Sequence, residues 1–193
     1  MIDRRQMLGL AAGGCAAPAM TLAQSSQMMA DPIGDLLAAA DRRPVRRLNL
    51  FNLHTSERVD AVYWEAGEYI PDALDAINLV LRDFRTGEVW PIDVKLLDTV
   101  SALATVVEND RPFQIVSGFR SPRTNAMLRS RSREVAENSV HTGGEAMDLY
   151  LDDTPLPRLH AAAVGLGAGG VGLYPVTGFI HMDVARVRYW QGT

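Results

Sequence analysis

The chain has 193 residues, a formal charge of -4, one cysteine and four histidines. With 47% apolar residues, that length suits one domain with a self-sufficient core. The acidic balance excludes the broad basic field that nucleic-acid binding requires, and the lone Cys15 excludes an internal disulfide or a cysteine-based zinc cluster, so any metal site must draw on carboxylates and on His54, His141, His160 and His181.

Arg4-Arg5 stands ahead of an apolar run from Met7 to Ala23 that Gly and Pro interrupt. The run is too broken for a membrane span, whereas a basic start, a short apolar centre and a small-residue end make a signal peptide. The arginine pair marks a signal of the twin-arginine type, with cleavage expected after Ala23 and a periplasmic destination. Gly13-Gly14-Cys15 offers lipoprotein anchoring at Cys15 as the alternative, with Ala12 where such sites usually carry Leu. Residues 24–44 read as a flexible leader with room for a short helix over Ile33–Ala40, and residues 45–193 as the folded domain.

Arg47–Leu53 and Arg58–Trp64 both alternate, around His54-Thr55-Ser56, and predict a β-hairpin. Pro71 suits the start of a helix running to Asp83, followed by a turn over Arg82–Val89 around Gly87. Asp93–Glu108 is the clearest amphipathic helix, with Val94, Leu97, Val100, Leu103, Ala104 and Val107 on one face. Pro112–Val116 reads as a strand, and Ser121-Pro122 opens a helix through Arg131 whose outer face is rich in Arg. A strand over Glu145–Leu151, a helix over Pro155–Val164, a turn over Gly165–Gly170, and strands over Val171–Tyr174 and Phe179–Arg188 complete the chain. The order predicts an α+β fold: a small, mostly antiparallel sheet with helices packed on one side.

The densest chemical signal is Ser139-Val140-His141-Thr142-Gly143-Gly144-Glu145-Ala146-Met147-Asp148. Alternation puts Asp148 on one strand face with Ala146 and Tyr150, and Met147, Leu149 and Leu151 on the greasy other. A His and an Asp joined across a tight turn suit zinc. In Phe179-Ile180-His181-Met182-Asp183, His181 and Asp183 share a face, and pairing with the Asp148 strand would set His181 beside Asp148. His141, Asp148 and His181 would then leave a fourth position for water, as a catalytic zinc needs.

The pattern Ser139-x-His141-x-x-Gly144-x-Ala146-x-Asp148, with a later strand His, resembles the zinc D-Ala-D-Ala peptidase superfamily, which has the hedgehog/D,D-peptidase fold. Ser117-Gly118-Phe119-Arg120-Ser121 resembles a further element of that group. Asn52–Thr55, Leu81–Glu88, Gly169–Pro175 and the ending His181–Trp190 are similar to its exported murein endopeptidase K branch. The resemblance implies Zn2+ held by His141, Asp148 and His181, with Arg120 polarising the scissile carbonyl or steadying the oxyanion. Many superfamily members carry a Glu general base three residues before the last His, where this chain has Gly178. Asp183 is the substitute that its position offers, either as general base or as a partner orienting His181; Glu145 points the wrong way along its strand. Ser117 and Ser139 are expected to orient loops, since neither sits in a nucleophile elbow.

The implied function is hydrolysis of peptide bonds in peptidoglycan stem peptides or cross-links, with peptidoglycan peptides as the partner and no nucleic acid or stable membrane span. A D,D-carboxypeptidase or dipeptidase of the same superfamily is the nearest alternative, and a non-catalytic, zinc-stabilised wall-binding module the more distant one.

Overall fold

The computed structural model describes residues 42–193, apart from 133 and 134, together with Asp35 and Ala38. The expected signal peptide and most of the leader, including all but two residues of the Ile33–Ala40 helix, lie outside the described residues.

The expected hairpin forms from β1 (Val45–Asn52) and β2 (Arg58–Glu65), and a two-residue strand β3 (Glu68–Tyr69) adds to its outer side. Helix α1 (Pro71–Val80) follows, with proline in its first turn. The side chain of Asp93 caps helix α2 (Val94–Val107) by accepting from the N–H of Lys95 at 2.8 Å. Strand β4 (Phe113–Ser117) leads to helix α3 (Pro122–Arg129), which Ser121 caps from the N–H of Thr124 at 3.2 Å and which ends two residues short of the expected Arg131. A 3-10 turn (Val140–Gly143) then enters β5 (Ala146–Tyr150); α4 (Leu156–Leu166), β6 (Gly170–Tyr174), β7 (Phe179–Asp183) and β8 (Arg188–Gln191) complete the order.

All strands join one sheet in the order β3-β2-β1-β4-β5-β7-β6-β8. The sheet is larger than the sequence suggested and is mixed: β1–β4 and β6–β8 are parallel, and the other pairings antiparallel. The single strand expected over Phe179–Arg188 is two. The chain bends after Asp183, whose carboxylate accepts the N–H of Ala185 at 3.0 Å, and returns as β8 along the far side of β6.

One face of the sheet carries the core. Leu48, Leu50, Ile115, Met147, Leu149 and Ile180 meet Ile77 of α1, Leu97, Val100 and Leu103 of α2, and Leu159 of α4 in one apolar cluster. Leu96 and Ala102 are buried outside the face predicted for α2, because that helix packs against α4 as well as the sheet. The opposite face, over β5, β7, β6 and β8, is left for chemistry.

Candidate metal centre

Antiparallel pairing sets Asp148 of β5 directly opposite His181 of β7, and Ala146 opposite Asp183. Because side chains alternate, Met147, Leu149, Ile180 and Met182 enter the core while Asp148 and His181 emerge on the other face. His141 reaches them from the 3-10 turn. That turn reverses at Gly144, whose φ of +73° suits glycine and whose missing Cβ leaves room for the carbonyl of Pro91.

The three side chains are 2%, 4% and 7% exposed for His141, Asp148 and His181. Their nearest donor atoms converge: His181 Nδ1 lies 2.8 Å from Asp148 Oδ1, His141 Nε2 lies 3.3 Å from the same oxygen, and the two ring nitrogens are 3.2 Å apart. Each outer ring nitrogen has a partner that fixes its tautomer. His141 Nδ1–H donates to the carbonyl of Gly118 at 2.8 Å, and His181 Nε2–H donates to Asp183 Oδ2 at 2.9 Å. Both inner nitrogens therefore present lone pairs toward a carboxylate, an arrangement of mutual repulsion that a cation relieves. Tetrahedral zinc with bonds of 2.0–2.1 Å separates its ligands by about 3.3 Å, so the donor set fits that ion.

The electrostatics agree with ligand duty. Burial depresses the pKa of His141 and keeps its ring neutral, against the pull of Asp148. Burial would raise Asp148, but His141, His181 and Arg120 hold it well below the usual carboxylate range. His181 is opposed by burial yet raised by its bonds to Asp148 and Asp183.

Arg120 follows β4, and its Nε donates to Ser117 Oγ at 2.8 Å while Nη2 grips Asp148 Oδ2, the oxygen turned away from the histidines. Ser117 thus orients Arg120, and the carbonyl of Ser139 accepts from Thr142 within the ligand turn. Asp183 lies on the far side of His181 from the triad. Its Oδ2 accepts from His181 and Arg188 Nη2, and its Oδ1 from the N–H groups of Gly170 and Ala185 and from Arg188 Nη1. Burial would raise its pKa, but these donors push it far below the ordinary value. Glu145 is exposed and faces a separate groove with Asn125 and Arg129. His54 and His160 take no part: His54 binds the carbonyl of Val116, and His160 belongs to α4.

The triad opens on a cleft of ≈ 430 Å³, in which Asp148 carries the only side-chain carboxylate among the described lining residues. Its wall is aromatic. Trp190 lies 5.2 Å from the His181 ring, its Nε1–H donates to Tyr174 Oη at 3.1 Å, and Tyr174 stacks on Phe179 at 4.7 Å. Sequence reading missed Trp190, Tyr174 and Arg188 as cleft residues. The signal was present in the alternate glycines of β6, since Gly172 pairs with both His181 and Trp190 and any Cβ there would run into the indole.

A buried His–Asp–His donor set open to a cleft on an α+β sheet is the arrangement of a metal-dependent hydrolase. The chain belongs to the peptidoglycan L,D-endopeptidase MepK family, whose model matches residues 39–190. It is 37% identical over 188 residues to the peptidoglycan L,D-endopeptidase MepK of Escherichia coli K12, covering 97% of each chain. The same identity and coverage hold for the Shigella flexneri protein of that name. A probable peptidoglycan L,D-endopeptidase MepK of Haemophilus influenzae is 35% identical over 158 residues, 81% of this chain and 85% of that one.

Proposed function

We propose that this chain is an exported zinc endopeptidase that cleaves L,D peptide bonds in peptidoglycan cross-links. The observation that carries the reading is the convergence of His141 Nε2, His181 Nδ1 and Asp148 Oδ1, at 2.8–3.3 Å from one another, with both imidazole tautomers fixed from behind. Family membership and the names of the relatives supply the substrate class.

His141, Asp148 and His181 would hold the ion. When bound, zinc lowers the pKa of a coordinated water and polarises the scissile carbonyl. Arg120 turns from Asp148 to the carbonyl oxygen as charge develops there, offering fixed N–H donors with no proton to lose. Asp183 serves as the residue that orients His181; with five donors on its two oxygens and no exposed side-chain surface, it is poorly placed to collect a proton from substrate. Tyr174, Phe179 and Trp190 keep water from one side of the reacting bond. Residues 1–23 act as a twin-arginine signal ahead of a leader over 24–44, with a lipid anchor at Cys15 as the alternative, consistent with a substrate outside the cytoplasm.

The test is digestion of purified sacculi. The protein is expected to release products cut at L,D cross-links by mass spectrometry, to stop with a chelator, and to resume with added zinc. Persistent digestion in chelator, or removal of terminal residues from uncross-linked peptides alone, refutes the reading.

A further inference from the structure

Two stretches that stand out in the sequence, Asn52–Thr55 and Leu81–Glu88, have no part in the triad, yet the fold brings them together beside Arg120. The buried Asn52 shapes the first: its Oδ1 accepts the N–H of His54 at 2.9 Å, and its Nδ2 donates to the carbonyl of Val80 at 2.7 Å. His54 Nε2–H donates to the carbonyl of Val116 at 3.0 Å, which fixes the ring. Phe84 stacks on that ring at 3.8 Å and 15°, and the guanidinium of Arg85 lies 4.1 Å over Phe84. The result is a built column, His54–Phe84–Arg85, that presents an arginine head at its end.

The column is also tied to the site. Buried Asp83 accepts the N–H of Arg85 at 3.0 Å and both the N–H and Oγ of Ser121, the residue after Arg120, at 2.9 and 2.6 Å. Phe119 N–H donates to the carbonyl of Leu81 at 2.8 Å. Partial desolvation and the like charges of Arg120 and Arg131 pull the pKa of Arg85 down, against the opposite pull of Asp83. Arg120 and Ser132, next to Arg131, both line the cleft. Among the described residues neither Arg85 nor Arg131 closes an ion pair with a carboxylate. An exposed guanidinium that closes no ion pair of its own favours an anionic partner.

Resting on the peptidase reading above, we propose that Arg85 is a subsite that binds a free carboxylate of the peptide substrate where it leaves the cleft past Arg120. Arg85 supplies a planar fork whose orientation is set by Phe84, and a carboxylate is the oxyanion that peptide chains carry. On the Trp190 side of the cleft the guanidinium of Arg188 is already paired with Asp183, so the two ends of the cleft differ in what they accept.

The experiment compares kcat/KM on purified cross-linked muropeptide dimers with free carboxylates and on the same dimers with those carboxylates amidated. The wild type is expected to prefer the free form by about tenfold, as for a charge-assisted bond lost on amidation. Arg85→Gln brings that ratio close to one, and Phe84→Ala lowers it by loosening the guanidinium. A ratio is insensitive to how much of a variant is folded. No preference in the wild type, or a preference that survives Arg85→Gln, overturns the proposal. If the wild type cleaves neither dimer, the peptidase reading has failed; calorimetric binding of the two dimers then decides the subsite, and equal affinities overturn it.

Discussion

Replacing Asp183 by Asn tests the orientation of the metal centre. Asp183 Oδ2 receives the Nε2 proton of His181, and Oδ1 receives two backbone N–H groups and one Arg188 N–H. An asparagine offers one oxygen and one NH2 in place of two oxygens. If its oxygen stays on Gly170 and Ala185, its NH2 faces His181 Nε2–H and Arg188, donor against donor. His181 escapes that clash by shifting its proton to Nδ1, the nitrogen that points at Asp148 and His141. If the amide turns over, the NH2 meets the two backbone N–H groups instead. Either outcome spoils a ligand nitrogen, and loss of such an outer partner typically costs 10- to 100-fold in metal affinity, roughly 1.4–2.7 kcal/mol. The assay is zinc competition between the metal-free protein and a chromophoric chelator, with thermal melting of the metal-free forms as the control for folding. A folded Asp183→Asn protein that binds zinc like the wild type but no longer digests sacculi refutes the argument and makes Asp183 the proton acceptor.

Asp83 has its pKa held at about 2, because hydrogen bonds from Ser121, Thr124 and the backbone outweigh the burial that would raise it. A depressed acid stabilises the fold above its unfolded value near 4 and loses that contribution as pH falls toward 2, on the order of 2 kcal/mol. Denaturant unfolding of wild type and Asp83→Asn should therefore converge across that window, and a gap that does not change with pH contradicts the assignment. Gly172→Ala places a Cβ in the Trp190 indole, so it should cost about 1–3 kcal/mol and quench or shift tryptophan fluorescence relative to wild type; an unchanged melting temperature would show that the ring has room to move.

The sequence made the triad legible because its information is local and periodic. Alternation in Glu145–Leu151 and in Phe179–Asp183 put Asp148 and His181 on polar faces, and one assumed pairing set them side by side, as the register does. The hairpin about His54 and the helices starting at Asp93 and at Ser121-Pro122 were legible for the same reason. What stayed hidden depends on partners distant in the chain or on side chains that override the backbone pattern. The strand ending at Asp183 looked longer because Val184, Ala185 and Val187 suit a strand; a side-chain carboxylate capturing the N–H of Ala185 ends it instead. The hydrophobic pattern of β6 could not reveal that β8 returns parallel beside it and lays Trp190 over Gly172. The choice of Nε2 for His141 and Nδ1 for His181 depends on Gly118 and Asp183, and so on packing.

The sheet separates its duties by face, with the apolar cluster on one side and the triad on the other. The fold's cohesion therefore does not pass through the metal centre, unlike a zinc finger, whose ligands are its core. Stripping the ion should cost only the free energy of its own binding, leaving a scaffold that waits for reloading. On the proposed reading, that makes activity a quantity that metal scarcity can switch off and abundance restore, without a new round of synthesis.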